Sequence, residues 1–224
     1  MARASFGDII RELKDAYKPP VRVTDEDGRH IADLVAFGLD SSIPTAWAAD
    51  VASWRNKHSN RFATQFLATP ENAENYLRTV AASEDQILFM IQSTTGERLG
   101  HFGFKRNADG VVELDNLIRS DQSATNQLVY YVELTLLFLI FSLSDVSSVQ
   151  VMVLGSNKAA HGLHRLCGFK RTRKVRVKSI EKKGVVTFKE AAKDSVGDDT
   201  FVYLTLDQDT FKLGNLKWLS LRMR

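Results

Sequence analysis

The chain has 224 residues, of which 44% are hydrophobic and 25% are charged. These values are ordinary for a globular protein and exclude a disordered or fibrous chain. The single cysteine, Cys167, excludes a disulfide framework and a cysteine-based zinc site, and a formal net charge of +3 excludes a molecule that is polycationic throughout. Because residues 6–17 carry five charged side chains, we expect no signal peptide and a cytoplasmic protein. We also expect no metal centre.

The first elements in chain order are a helix, a hairpin and two further helices. Residues 1–20 have amphipathic spacing and end at two prolines, which stop a helix. Thr69 and Pro70 are typical of a helix start, since threonine caps and proline fits the first turn. The predicted hairpin strands are 21–23 and 31–37, and the helix after them covers 45–63.

Three strands with tight turns between them come next and predict an antiparallel meander. The run 128–143 is almost wholly apolar but shorter than the roughly 20 residues of a membrane span, so we interpret it as a buried helix, with no membrane partner. A strand, a helix and a strand follow it, and this order needs a crossover that makes the sheet partly parallel. The predicted strands are 86–92, 98–105, 111–119, 148–154, 170–180, 185–189 and 200–206, and the helices are 127–143 and 157–166.

These elements predict the α+β class, with a mixed, mostly antiparallel central sheet flanked by helices. We divide the chain into an N-terminal helix and hairpin packed on the main domain (1–40), the main domain itself (41–206) and a C-terminal tail (207–224).

Residues 98–169 carry a pattern that resembles the GNAT acyltransferase superfamily. A meander, a buried helix and a strand precede the spacing Asn157, Ala160, Leu163, Gly168 and Phe169. The strand 99–104 (LGHFGF) is similar to a glycine-containing strand of that superfamily, and the triplet at 54–56 (WRN) is similar to a helix of the branch that acylates amino-sugar nucleotides. The resemblance covers roughly residues 50–170.

The resemblance implies a GNAT-like fold in which strands 111–119 and 148–154 splay apart. Backbone groups in that gap would bind the pantetheine arm of acetyl-coenzyme A as an added strand does. The loop that leads into the buried helix would hold the pyrophosphate at the positive end of that helix. The residues implied for the co-substrate are Leu117, Ile118, Arg119, Gln122, Ser123, Ala124, Thr125, Asn126 and Asn157.

The loop at 119–126 departs from the superfamily's pattern, because it contains no glycine and carries an acid, Asp121. Glycine normally lets the backbone approach the phosphates closely. Two alternatives to a coenzyme A-dependent acetyltransferase therefore stay open: a degenerate fold that binds without catalysis, and a transferase whose donor is an acyl carrier protein.

Acyl transfer from a thioester to an amine requires that the amine lose a proton and that the leaving thiolate gain one. The resemblance implies Glu113 as the base, with Asp115 on the same strand face. Two acids so placed can raise the pKa of one of them. His164 stands seven residues after Asn157, the asparagine of the motif. Many relatives have at this position a tyrosine that acts as the general acid, so the resemblance implies His164 as the acid.

The acceptor is expected to be a small-molecule amine, with an amino sugar as one example. Arginines can pair with its phosphates or carboxylate and a tryptophan can stack on a ring. His101 is a second candidate base, since its ordinary pKa is near 6.5. The residues predicted for acceptor binding are Trp54, Arg55, Asn56, Arg61 and His101.

The segment 165–183 is the least ordinary feature of the sequence, since nine basic residues and one acid give it a local net charge of +8. Such asymmetry favours a polyanionic partner: the phosphates of coenzyme A, an acidic carrier protein or RNA. Nucleic acid is the less expected partner, because the segment offers few aromatic rings for bases. A nucleic-acid-binding module built on this segment, and a basic face that is simply solvated, stay open as alternatives. A homodimer remains open.

Overall fold

The computed structural model describes residues 5–15, 19–38, 43–120, 126–143, 146–192 and 196–215. Within these ranges, six α-helices flank one ten-stranded sheet, so the predicted α+β class is confirmed. The helices are α1 (Phe6–Leu13), α2 (Thr45–Lys57), α3 (Pro70–Ala82), α4 (Asn126–Leu143), α5 (Lys158–Leu166) and α6 (Gln208–Gly214). The strands are β1 (Val21–Thr24), β2 (His30–Ala36), β3 (Thr64–Gln65), β4 (Gln86–Ser93), β5 (Arg98–Arg106), β6 (Val112–Arg119), β7 (Ser148–Leu154), β8 (Lys170–Lys182), β9 (Val185–Glu190) and β10 (Asp199–Asp207).

The strand order across the sheet is β1-β2-β4-β5-β6-β7-β10-β8-β9-β3. Among the described strands, β6 and β7 form the parallel pair and every other neighbouring pair is antiparallel. The connection from β6 through α4 to β7 is therefore the predicted crossover. It places the two parallel strands at the centre of the sheet.

Side chains that cap the helices explain where four of them begin. The hydroxyl of Ser5 and the carboxylate of Asp8 form a capping box at α1, and Thr69 accepts a hydrogen bond from the Asn72 backbone at α3. Asn157 caps α5 and Asp207 caps α6 in the same way.

Apolar side chains divide between the two faces of the sheet. The larger cluster joins α1, α4 and α6 and the inner side of α5 to one face, here called the α4 face. The smaller cluster joins α2 and α3 to the opposite face, here called the α2 face. Apolar residues surround α4 almost completely, which agrees with its prediction as a buried helix, and no helix in the described ranges is both long and apolar enough to cross a membrane.

Three elements differ from the sequence prediction. The helix predicted for 45–63 ends at Lys57 and gives way to a 3-10 turn over Ser59–Arg61. The next residues are extended because β3 pairs with β9 at the far edge of the sheet. The tail predicted after residue 206 begins with α6, which the buried ring of Phe211 holds against the core.

Candidate functional site

The two central strands of the sheet separate soon after they meet. Strands β6 and β7 pair only at Val112 with Val149 and at Glu113 with Gln150. Strands β7 and β10, by contrast, pair through seven consecutive residues. The predicted splay is therefore confirmed, and Glu113 stands at the last paired position before the gap opens.

A bulge in β6 opens this gap. Between the pairs formed by Asp115 and Ile118 with β5, strand β6 contains one residue more than its partner. Asn116 lies in this bulge with φ +57°, a left-handed conformation that asparagine tolerates better than most residues. Its backbone N–H donates to the Asp115 carboxylate at 2.8 Å, and its side-chain amide donates to the Tyr76 hydroxyl at 2.7 Å.

Two adjoining clefts occupy the region around the gap. The outer cleft, of about 540 Å³, is bounded by the end of β6, the start of α4 and one side of α5. The inner cleft, of about 290 Å³, reaches Glu113, Asp115 and His164. Both clefts are lined by Arg61, Phe62, Leu117, Asn157 and Ala160, so they meet at the gap between the strands.

Only some of the residues predicted to bind the co-substrate belong to the described part of the chain. Leu117, Ile118 and Arg119 line the outer cleft, and Asn157 lines both clefts at the start of α5. Ser120, which the sequence analysis did not select, lines the outer cleft as well. The remaining positions, Gln122, Ser123, Ala124, Thr125 and the side chain of Asn126, lie outside the described residues.

Glu113, the predicted base, is buried with 7% of its surface exposed. Its Oε2 accepts a hydrogen bond from the side-chain amide of Asn107 at 2.9 Å, and its Oε1 lies 3.9 Å from the Lys105 ammonium. Burial raises the pKa of Glu113 above its ordinary value, with Asp115 and Asp109 acting in the same direction against Asn107 and Lys105. This carboxylate consequently holds a proton more tightly than an exposed glutamate does.

Asp115 shares the face of Glu113, as the strand period requires, but it is committed to an ion pair. The Lys105 ammonium donates to its Oδ2 at 2.8 Å. Burial disfavours the charge on Lys105, but the Asp115 and Glu113 carboxylates together more than offset this, so the pKa of Lys105 is raised. Lys105 therefore neutralises the charge of Asp115 directly, whereas the same ammonium lies farther from the Glu113 carboxylate.

His164, the predicted acid, reaches the inner cleft from the α4 face. Its Nδ1 lies 2.8 Å from Oε1 of Glu133, a residue of α4 that is fully buried. Glu133 was not among the residues predicted from the sequence, although a lone acid in an apolar helix indicates a specific role. Glu113 on the α2 face and His164 on the α4 face thus meet at one cleft because the sheet is open between them.

The residues predicted for the acceptor separate into two groups. Arg61 lines both clefts, and Arg55 lines the inner one, where its guanidinium donates to the Thr64 carbonyl at 2.7 Å and lies 3.6 Å from the centre of the Phe62 ring. Trp54 lines neither cleft, and Asn56 holds the backbone N–H and carbonyl of Ala68 through its side-chain amide.

His101 lies on β5 opposite Ile118 and does not line either cleft. Its ring stacks obliquely against Trp54 with 6.2 Å between ring centres, and neither ring nitrogen has hydrogen-bond geometry with a described group. Burial lowers the pKa of His101 to about 4 despite the nearby Asn116 backbone, so the ring is neutral at pH 7.

The charges around the inner cleft are mixed: three cations, on Arg55, Arg61 and Lys105, face two carboxylates, on Glu113 and Asp115. Within the described ranges, no three histidine, cysteine, aspartate or glutamate side chains come together in a way that could hold a metal ion. The chemistry available here is proton transfer and charge recognition.

No protein-family model matches this sequence, and no curated protein sequence matches it either. Solved structures do match the fold. A GCN5-related N-acetyltransferase from Brucella melitensis aligns with TM-score 0.62 and 14% identity over 90% of this chain and 89% of that chain. Apo FdhC, described as a nucleotide-linked sugar GNAT, aligns with TM-score 0.61 and 11% identity over 91% and 99%.

A third solved structure is the spermidine N-acetyltransferase from Vibrio cholerae in complex with coenzyme A and spermine. It aligns with TM-score 0.60 and 11% identity over 80% of this chain and 97% of that chain. Together these likenesses show that the chain has the GNAT fold, which confirms the resemblance inferred from residues 50–170.

Proposed function

We propose that this protein is a GNAT-type N-acyltransferase that moves an acetyl or related acyl group from coenzyme A to the amine of a small anionic acceptor. The observation that carries the proposal is the gap between β6 and β7, with Glu113 at its closed end and His164 and Asn157 beside it. An ordinary sheet would close this gap with ladder hydrogen bonds. Here it joins a cleft large enough for a ligand to a cleft lined by proton-transfer groups.

The residues around the outer cleft fit a coenzyme A thioester. Beyond Glu113, the backbone groups of β6 are not paired with β7, and an extended pantetheine arm can use them as a strand would. Arg61 and Arg119 supply positive charge at this cleft, and the N-terminus of α4 provides a further attraction for a pyrophosphate. Their positive charge offsets the negative charge of Asp121 in the loop at 119–126.

The side chains of the inner cleft divide the proton transfers between them. Glu113, as a carboxylate, removes a proton from the acceptor amine, and His164 supplies a proton to the departing thiolate through Nε2. The unpaired N–H groups of β6 are the donors available to the oxyanion. Because the pKa of Glu113 is raised, kcat/KM should fall on acidification at a pH above the usual range of a glutamate.

The charges of the inner cleft favour an acceptor that carries phosphate or carboxylate groups as well as its amine. Arg55, Arg61 and Lys105 outnumber the two carboxylates, and one of those is already paired with Lys105. A polyamine would bring several positive charges into this cation-rich cleft, which is unfavourable. A nucleotide-linked amino sugar has the amine and the negative charge, and it is the acceptor class we propose.

The test is an acceptor screen with acetyl-coenzyme A, in which thiol release and the mass of the product are measured. We expect turnover of a nucleotide-linked amino sugar, little turnover of spermidine, and loss of both signals in Glu113→Gln. Faster turnover of spermidine would overturn the acceptor class. Transfer from an acyl carrier protein but not from coenzyme A would replace the donor, and binding without transfer would support the non-catalytic alternative.

A further inference from the structure

Glu133 is the one charged residue in the eighteen residues of α4. None of its surface is exposed, and it lies among the apolar side chains of the α4 face. Burying a carboxylate in such surroundings costs several kcal/mol unless a partner compensates the charge. A helix that only filled the core would be more stable with leucine at this position. The buried carboxylate of Glu133 therefore indicates a role other than packing.

The hydrogen bond of Glu133 leads to the inner cleft. Oε1 contacts Nδ1 of His164 at 2.8 Å, and Oε2 has no hydrogen-bond partner in the part of the chain that the structure describes. The Cys167 thiol lies close by, and burial together with this carboxylate raises the pKa of Cys167, which keeps the thiol neutral. His164 is thus the group that can compensate the charge of Glu133.

We propose that Glu133 is a positioning residue that fixes the tautomer and orientation of His164 for acyl transfer. An ionised carboxylate can only accept, so Nδ1 of His164 must carry the hydrogen of this bond. Nε2 is then the ring nitrogen that is available to the inner cleft, which His164 lines. The edge of the Phe169 ring, with 5.6 Å between ring centres, limits rotation of the imidazole.

This inference rests on the proposed acyl transfer, and the proton balance of that step shows what the pair contributes. When the tetrahedral adduct collapses, the carbon–sulfur bond breaks, its electron pair stays on sulfur and the carbonyl forms again. The proton on Nε2 passes to sulfur, and the ring is left neutral with Nδ1–H still donating to Glu133. The proton that Glu113 took from the amine leaves to solvent, and solvent returns one to Nε2.

The first test is Glu133→Gln, which keeps the shape of the side chain but removes its charge. We expect kcat to fall by about 10–100-fold, the usual effect of removing a group that orients a reactive residue, while the KM for acetyl-coenzyme A changes less than about twofold. A folded Glu133→Gln variant with the kcat of the unmodified protein would overturn the proposal. Thr135→Val is the matched control, since it removes the buried hydroxyl that donates to the Tyr131 carbonyl in the same helix, and kcat should not change.

A double-mutant cycle separates positioning from a general loss of packing. If Glu133 acts through His164, then Glu133→Gln should have little further effect on kcat in a His164→Asn background. Independent, multiplicative losses in the two variants would contradict the inference. Coenzyme A affinity, measured by calorimetry, should be the same in all three variants.

A spectroscopic measurement keeps the inference testable even if no acyl transfer is detected or the variants do not fold. In the unmodified protein, at a pH at which the His164 ring is neutral, its nitrogen-15 shifts should show hydrogen on Nδ1 and a bare Nε2. A neutral ring with its hydrogen on Nε2 and a bare Nδ1 would overturn the role of Glu133. Lack of turnover combined with the expected tautomer would count against the proposed function and leave the Glu133–His164 contact supported.

A second, independent inference concerns a cleft of about 1020 Å³ on another side of α5. Lys158 and Arg165 of α5 line this cleft, whereas Ala159, Gly162 and Leu163 line the outer cleft. Its opposite wall is β8 and its floor is β10 on the α4 face. It is thus separated from the proposed acyl-transfer site by the width of a helix.

A bulge in β8 directs two cations into this cleft. Arg173 pairs with Tyr203 and Arg171 pairs with Leu204, so β8 has one residue more than β10 at this point. Regular alternation would turn Arg171 and Lys174 to opposite faces, and the bulge turns both to the same face. Arg173 remains on the other face, where it forms an ion pair with Glu190 at 2.9 Å.

The charges of this cleft are not matched by the protein itself. Five basic side chains line it, together with one acidic side chain, Asp199. The Asp199 carboxylate already accepts hydrogen bonds from the Ser156 hydroxyl at 2.5 Å and from the Thr200 N–H at 2.7 Å. Arg165, Arg171 and Lys174 have no ion pair with any described residue. We infer that this cleft binds a small, phosphate-rich anion. The five basic residues are Lys158, Arg165, Lys170, Arg171 and Lys174.

The probe for this site is inorganic tripolyphosphate, titrated into the protein after saturation with coenzyme A. We expect saturable binding that Arg171→Ala weakens at least tenfold and that Arg173→Ala changes less than twofold. The two variants remove the same charge from the same strand, on opposite faces. Equal losses in both, or no saturable binding, would overturn the inference, and so would tighter binding of a short DNA duplex than of tripolyphosphate.

Discussion

The two edges of strand β7 differ in how fully they are paired. Toward β10, the strand is paired along its whole length, from Ser148 to Leu154. Toward β6, it is paired at Val149 and Gln150 and then released. Because unpaired buried backbone groups are costly, a sheet leaves them open only where something else can satisfy them. This difference is the reason we propose that a ligand binds at the edge of β7 that faces β6.

Local chemistry explains why only one edge opens. Along β10, apolar residues alternate between the two faces and keep the strand in register with β7. Along β6, the extra residue at Asn116 turns the strand away, and hydrogen bonds to Asp115 and Tyr76 hold that turn. One edge is therefore fully paired, and the other leaves the gap that we propose as the binding site.

The largest expected effect comes from the closed end of the gap. Glu113→Gln removes the proposed base without changing its shape, and we expect kcat to fall by about 10²–10⁴-fold, as for other general bases. Steady-state kinetics with a saturating acceptor measures this. Asp115→Asn is the comparison, because Lys105 already neutralises Asp115, and its effect on kcat should be at least tenfold smaller. An active Glu113→Gln variant would remove this glutamate from the mechanism.

The half of the sheet that ends at the open edge can be weakened by acid through His101 of β5, which pairs with Ile118 of β6. Its pKa is about 4 in the native protein and near 6.5 when unfolded, so between these values the unfolded chain binds more protons. The free energy of unfolding should therefore decrease as the pH is lowered from 7 to 4.5, by about 2–3 kcal/mol from this residue. Urea unfolding at both pH values measures the change.

His101→Phe is the control for this pH dependence, since it removes the titrating ring from the same buried position. The variant should lose less stability than the unmodified protein over the same pH interval. An identical loss in both proteins would show that His101 is protonated as readily in the native state as in the unfolded one.

The open edge can be blocked at Gly162, which lines the outer cleft. A side chain built at this position meets no atom within 4 Å of its Cβ, so Gly162→Trp should fold normally and fill the cleft. We expect coenzyme A affinity to fall at least tenfold, equivalent to about 1.4 kcal/mol. Leu213→Trp, a similarly exposed change on α6, should leave affinity unchanged. Undiminished binding in Gly162→Trp would place coenzyme A elsewhere.

The smallest effect concerns the start of α5, where the Asn157 side chain accepts a hydrogen bond from the Ala160 N–H at 3.3 Å. Asn157→Ala should lower the free energy of unfolding by about 1 kcal/mol, because the cap is lost. Asn157→Asp retains an acceptor and should lose less. Denaturant unfolding of the two variants compares them, and equal stability would mean that the cap contributes little.

Much of the fold could be predicted from the sequence because its signals are local. The strand at 148–154 was predicted with the bounds that the structure has, since its apolar residues stand between clear breaks. Thr69 with Pro70 fixed the start of α3 for a similar reason. The two-residue strand β3 was not predicted, because it depends on pairing with β9, which is distant in the sequence.

The candidate site was less predictable, because its geometry depends on contacts between distant residues. The two acids were expected to raise the pKa of one of them, and Asp115 does act on Glu113 in this direction. The ion pair of Asp115 with Lys105 was not foreseen, because it depends on which residue of β5 lies beside Asp115. The partnership of Glu133 with His164 joins residues 31 positions apart in the sequence. No local sequence pattern predicts such a pair, although a single acid in an apolar helix indicates that Glu133 has a buried partner.

The central claim is that the gap between β6 and β7 binds coenzyme A, and titration calorimetry of the purified protein with acetyl-coenzyme A tests it most directly. We predict one site per chain with micromolar affinity, lost in Gly162→Trp and retained in Leu213→Trp. No heat of binding at millimolar acetyl-coenzyme A would contradict the claim, and a carrier-protein donor or a non-catalytic ligand would then be the occupant to test.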